Sequence, residues 1–148
     1  MFFPSAKIIV KHQSISDKIL LIKRNVNGII SYEPAGGRAE IDYATLNAES
    51  LEECVIREAA EELGVRVNIE RYLGSYSYFW PHDLSKCSCY AVFIGTIIDD
   101  IKNFTGNGDK DCWPVEPEWV SLGDIINKKI VINPTHKGLE QLVLDAFK

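Results

Sequence analysis

Ser88 to Ile98 reads Ser-Cys-Tyr-Ala-Val-Phe-Ile-Gly-Thr-Ile-Ile, and from Ala91 onward it is so apolar at odd and even positions alike that neither face of a strand can meet water. It has to be a central strand covered on both sides. Two amphipathic segments, Asn47 to Leu63 and Pro134 to Phe147, are long enough to supply the covers. The fold class expected is therefore α/β, an α/β/α sandwich with a mixed β-sheet between helices. Further strands are predicted at Ala6 to Val10 and Lys18 to Lys23, which form a hairpin, and at Gly28 to Glu33, which Pro34 stops. Val65 to Leu73, Ser75 to Trp80 and the short Trp119 to Ser121 complete the set, with a helical turn over Leu122 to Asn127. Phe104 to Trp113, with its Gly106-Asn107-Gly108-Asp109, is expected to be a loop.

A chain of 148 residues is close to the commonest size of one domain, and residues 1–148 are read as a single one. Sixteen Lys and Arg against 21 Asp and Glu leave a formal charge of -5, the wrong sign for gripping a nucleic-acid polymer by counterion release. No basic leader precedes an apolar stretch at Met1 to Lys7, and the apolar runs are too short to cross a bilayer, so neither a signal peptide nor a membrane partner is expected. Cys54, Cys87, Cys89 and Cys112 include no C-x-x-C pair, and Cys87 and Cys89 on one strand face cannot bridge each other. Reduced thiols in a cytoplasmic protein are the expectation.

The predicted helix over Asn47 to Leu63 carries the chemistry. Ser50 and Glu53 have capping-box spacing, Ile56, Ala59, Ala60 and Leu63 make an apolar stripe, and Gly64 is a natural stop. Within Arg57-Glu58-Ala59-Ala60-Glu61-Glu62-Leu63-Gly64-Val65, Glu58 and Glu62 fall about 40° apart in projection. Glu61 flanks them. Such carboxylates repel one another and raise each other's pKa, a local cost that a hard cation reverses because it takes carboxylate oxygens and keeps waters for exchange with phosphate. An isolated acidic pair on a helix is more often a solvated face. Context decides here: the Glu58–Glu62 column borders the apolar stripe, which places it at the rim of the core.

Glu49, seven residues, Arg57-Glu58, two residues, Glu61-Glu62, one residue, then Gly64 and the aliphatic Val65 resemble the signature of the Nudix hydrolases. The strand order from Ala6 to the terminal helix also looks like that family, so the resemblance covers nearly the whole chain. One departure stands out: eleven residues separate Gly37 from Glu49 where the family pattern has five, so that Ile41 to Leu46 looks inserted. Ala48 also replaces a usual glycine.

The resemblance implies a Nudix-type sandwich and a Mg²⁺-dependent pyrophosphatase, with Mn²⁺ as an alternative ion. By the same resemblance Glu58 and Glu62 are the principal metal ligands, Glu61 a further ligand or support, and Arg57 and Glu49 hold the loop against the helix. A distant acid supplying the base is sought between Asp109 and Glu118, Glu116 first and Asp111 next. Glu33-Pro34-Ala35-Gly36-Gly37, with Pro81 sixteen residues after Val65, resembles the ADP-ribose pyrophosphatase subfamily. A small nucleoside diphosphate is thus the expected partner, with Gly36, Gly37, Arg38 and the aromatic Trp80 as substrate contacts. A pyrophosphohydrolase of oxidised or noncanonical nucleoside triphosphates is the rival within the family, and a non-catalytic nucleotide-sensing module the rival outside catalysis. Dimerisation is open: Phe2 and Phe3 suit an interface or the edge of their own sheet.

Overall fold

The computed structural model describes residues 1–100 and 116–148. Its centre is a seven-stranded mixed sheet in which β3 (Ile29–Glu33), β2 (Lys18–Val26), β1 (Phe2–Lys11), β8 (Asp83–Asp100) and β7 (Val65–Trp80) lie side by side. β4 (Ala35–Arg38) pairs with β1, and β9 (Glu116–Ser121) pairs with β2. Among the described strand pairs only β1 and β8 run parallel, from Phe2 beside Cys87 to Lys11 beside Thr96, apart from a single parallel bridge between Tyr32 and Ile132. The apolar run that had to be central is central: β8 lies between β1 and β7, with Val92, Phe93 and Ile94 buried.

Each face of the sheet has its own core. On one side Ile8, Val10, Ile22 and Phe93 pack with Cys54, Val55, Ala59 and Leu63 of the first helical segment. On the other, Ile9, Leu21, Val92 and Ile94 pack with Ile125 of α2 (Leu122–Ile126) and with Leu139 and Val143 of α3 (Leu139–Asp145). This is the α/β/α sandwich with a mixed sheet between helices.

Local chemistry moves several element ends. α1 covers Leu51–Glu58 rather than starting at Asn47, because Ser50 is the N-cap of a complete capping box: its hydroxyl accepts from Glu53 N–H and the Glu53 carboxylate accepts from Ser50 N–H. Asn47–Ala48 is instead β6, paired with β5 (Ile41–Asp42), so the inserted segment is a small hairpin. Its turn is fastened by Asp42, whose carboxylate accepts from Ala44 N–H, Thr45 N–H and the Thr45 hydroxyl. Two strands expected on either side of Gly74 are one, β7, in which that glycine marks a bulge and a close approach: a Cβ there would stand 2.6 Å from Leu142 of α3.

The terminal helix is shorter than Pro134 to Phe147. Asn133 caps a turn, accepting from Thr135 N–H and hydroxyl, and Gly138 at φ +89° interrupts the chain before α3 begins at Leu139. That interruption turns His136 inward.

Candidate active site

β1 uses one edge twice, pairing with β2 at Val10 and Lys11 and with β4 from Ser5 to Ile8. Where it changes partner a cleft of about 620 Å³ opens, lined by Lys7, Arg24, Glu33, Gly36 to Ile41, Tyr43, Arg57, Glu58, Glu61, Glu62, Trp80 and His136, among others. The carboxylate helix forms one wall.

That wall differs from an ideal α-helix. After Glu58 the chain continues as a π-helical turn, Ala59–Leu63, closed by Gly64 in the left-handed region at φ +68°. The buried face is Cys54, Val55, Glu58, Ala59, Glu62 and Leu63, whereas Ile56, expected in the apolar stripe, is 42% exposed. Glu58 and Glu62 are 9% and 2% exposed. They lie further inside than the rim expected for them.

Two glycines make room for these carboxylates. Gly36 N–H donates to Glu62 Oε1 at 2.8 Å, and a Cβ on Gly36 would meet the Ala6 carbonyl oxygen at 2.1 Å. A Cβ on Gly37 would stand 2.5 Å from Glu58 Oε1. Neither position has space for a larger residue unless β1 or the Glu58 carboxylate shifts.

Arg57 ties loop to helix with all three of its guanidinium nitrogens. Nε and Nη2 donate to the two Glu49 oxygens at 2.8 and 2.9 Å, Nη1 reaches Glu58 Oε1 at 3.0 Å and Glu61 Oε2 at 3.2 Å, and Nη2 also donates to the Arg38 carbonyl at 3.1 Å. Glu49 accepts in addition from Glu40 N–H. A bidentate fork of this kind fixes both partners' geometry.

Lys7, Arg24 and His136 also line the cleft. Lys7, 2% exposed, donates to the Pro34 carbonyl at 3.2 Å and faces Glu33 at 3.8 Å. Arg24 pairs with Glu33 through Nε and with Glu62 Oε2 through Nη2 at 3.5 Å. Neither cation was singled out in the sequence, though a lone lysine inside the apolar run Ala6 to Val10 is a signal that something acidic waits within. His136 gave no signal at all. Its Nδ1 lies 2.8 Å from the Tyr76 hydroxyl and its ring stacks on Tyr78 at 3.9 Å. Burial pushes its pKa down to about 4, Lys7 and Arg24 adding to the effect against Glu33, so it is neutral at pH 7.

Charge separates the site's carboxylates. Burial would raise Glu33, but Lys7 and Arg24, joined by His136 once it is protonated at low pH, outweigh it and hold the group at about 2. Its contribution to stability is therefore present above the ordinary carboxylate pKa and lost as pH falls towards about 2. Glu62 goes the other way: burial, and then the neighbouring Glu58 working against Lys7, push it up to about 8. Glu58 is raised as well, by burial first and by Glu61, against the pull of Arg57.

Among the described residues no three His, Cys, Asp or Glu groups converge as a ready-made metal cage. The donor set nevertheless suits a hard cation that takes one or two carboxylates and keeps its waters. Burial raises the pKa of both Glu58 and Glu62, Glu62 to about 8, and a hard cation binding there would displace the proton that burial favours on Glu62.

The other expected residues fall as follows. Arg38 lies over the rings of Phe3 and Trp80, 5.4 and 5.1 Å from their centres, at the cleft. Trp80 donates from Nε1 to Ser88 Oγ, stacks on Phe3 at 5.1 Å and has Lys86 over its ring as well. Glu116 begins β9 opposite Lys23, is exposed and does not line the cleft. Asp109 and Asp111 lie outside the described residues. The inserted hairpin sends Ile41 and Tyr43 to the cleft mouth.

Fold and site together define an α/β sandwich whose cleft is lined by buried carboxylates, the buried Lys7 and the partly buried Arg24, a class suited to polyanionic ligands. A NUDIX domain matches residues 1–142, and the chain belongs to the Nudix family. The Nudix hydrolase from Nitrosomonas europaea superposes with a TM-score of 0.70 at 19% identity, covering 98% of this chain and 88% of that one. The E. coli ORF135 protein gives 0.64 at 19% identity, covering 97% and 89%. A UDP-X diphosphatase gives 0.67 at 19% identity, covering 99% of this chain and 63% of its own. At such identities the likeness concerns the fold. No curated protein matches by sequence.

Proposed function

We propose that residues 1–148 are one Nudix domain that hydrolyses the diphosphate linkage of ADP-ribose or a related nucleoside diphosphate derivative, with Mg²⁺ as its cation. The products are AMP and ribose 5-phosphate. The observation that carries this reading is the buried Glu58–Glu62 pair, lining one cleft together with Lys7 and with Arg24, whose Nη2 stands 3.5 Å from Glu62 Oε2. The cleft volume of about 620 Å³ falls in the range of small-molecule sites. The choice of a diphosphate derivative draws on the Glu33 to Gly37 segment, and the similarity in fold to a protein named as a UDP-X diphosphatase is compatible with it.

Glu58 and Glu62 hold the cation, with Glu61 beside them. Bound there, Mg²⁺ polarises phosphate oxygens, acidifies water and stabilises the departing phosphate. Gly36 N–H and Arg24 keep Glu62 in place, and Arg57 does the same for Glu58 and Glu61. Glu61, with a side chain 41% exposed, is the most solvent-facing of the three, which supports assigning it the proton of the attacking water. Lys7 and Arg24 supply positive charge for the substrate's phosphates. Glu116, away from the cleft, has no part in this assignment; Trp80 and Arg38 form the wall beside the substrate.

The test is a panel of ADP-ribose, nucleoside diphosphate sugars, dinucleoside polyphosphates and nucleoside triphosphates with Mg²⁺, each product identified by mass. AMP with ribose 5-phosphate is the expected outcome. Release of pyrophosphate from triphosphates alone would assign the chain to the other substrate class.

A further inference from the structure

Besides the His136 imidazole, itself stacked on Tyr78, the cleft is lined by four Phe, Tyr or Trp side chains, and three of them are engaged within the protein. Phe3 and Trp80 stack on each other with Arg38 over both, and Lys86 adds a cation over Trp80. Tyr90 is stacked on Tyr76 at 5.2 Å and has Lys7 over its ring. The fourth, Tyr43, lines the cleft with 81% of its surface exposed, and no ring or cation contact is made to it among the described residues. Trp80, expected as a substrate contact, already has a ring and cations against it. Tyr43 meets none.

Its setting is built rather than loose. Asp42 fastens the turn that carries Tyr43, and Ile41–Asp42 is laddered to Asn47–Ala48. At the hairpin's foot Glu49 N–H donates to the Glu40 carbonyl at 2.8 Å and Glu40 N–H donates back to Glu49 Oε1 at 3.1 Å. Glu49 is the carboxylate gripped by Arg57, which also holds Glu58 and Glu61. The hairpin and the carboxylate wall are thus positioned by one guanidinium.

The geometry points to Tyr43 as the residue that stacks on the nucleobase of the substrate, making the inserted hairpin the specificity element of this cleft. This rests on the cleft being the place where a nucleoside diphosphate derivative is cleaved. Stacking on one face of a planar base discriminates nucleotides from base-free diphosphates and is tolerant of which base is present.

The assignment is tested with steady-state kinetics of Tyr43→Ala and Tyr43→Phe on the nucleoside diphosphate derivative that the wild type cleaves, with imidodiphosphate as a base-free competitive inhibitor. Tyr43→Ala raises KM about tenfold, as loss of one base–aromatic stack should. Its kcat and the inhibition constant of imidodiphosphate stay at wild-type values, and Tyr43→Phe behaves as wild type. An unchanged KM for Tyr43→Ala would overturn the assignment, as would an equal loss of substrate and imidodiphosphate binding, which would mark a merely structural hairpin. Failure of the wild type to cleave ADP-ribose is a different result, bearing on the substrate and not on Tyr43.

Discussion

Glu62→Gln lowers turnover by at least about 100-fold, since loss of even a supporting group around a catalytic metal commonly costs about 10- to 100-fold. The amide keeps the volume and an oxygen for Gly36 N–H, so the fold survives. What goes is the charge that would bind the cation and meet Arg24. The same substitution has a second, opposite effect on the metal-free protein. Glu62 titrates at about 8 in the folded chain against an ordinary value of 4.5, so the folded state holds the extra proton between those limits. Its contribution to stability is therefore full below the ordinary value and is lost as pH rises through about 8. Metal-free wild type should lose stability across that window, and Glu62→Gln should lose less. Melting curves at pH 5 and pH 8, with turnover measured on the same preparations, separate the two effects; near-normal turnover under saturating substrate would reject the role assigned to Glu62.

Arg57→Ala is expected to cost the most stability of any single change at the site. Arg57 carries hydrogen bonds to Glu49, Glu58, Glu61 and the Arg38 carbonyl, and its side chain is 23% exposed. Removing it leaves Glu58 and Glu49 largely shielded from water and without their counter-charge, a change worth about 3 kcal/mol. For a chain of 148 residues that corresponds to a fall in melting temperature of roughly 10 °C. Mg²⁺ should restore part of the loss by neutralising Glu58 and Glu61. Arg57→Lys keeps the charge without the fork and should fall between the two. Urea unfolding with and without Mg²⁺ checks this; a midpoint within experimental error of wild type would show that loop and helix are held by something else.

The layers of the fold were legible in the sequence because the physics there is local. The run from Ala91 to Ile98 has no polar face, and the Ser50–Glu53 box fixes where α1 starts even though the wider helix expectation began at Asn47. The ends that moved were decided by partners elsewhere in the chain. Asn47 and Ala48 left the helix for Ile41 and Asp42, and Gly74 proved to be a seat for Leu142 rather than a break. Within the site, the Glu58–Glu62 column follows from spacing along one helix, whereas the tie between Arg57 and Glu49 was expected only from the resemblance to the Nudix signature. Lys7, Arg24 and His136 come from β1, β2 and the turn before α3, and only the change of partner along β1 and the interruption at Gly138 bring them together. Periodicity cannot announce a contact of that kind. The π-helical turn after Glu58 was equally hidden, and with it the burial of Glu62.

The most direct measurement is Mn²⁺ binding to the protein without substrate, followed by the loss of the free-ion signal in electron paramagnetic resonance. Wild type should bind Mn²⁺, Mg²⁺ should compete for the same site, and the Glu58→Gln, Glu62→Gln double variant should leave the free-ion signal undiminished. Equal binding by wild type and the folded double variant would contradict a cation site at Glu58 and Glu62.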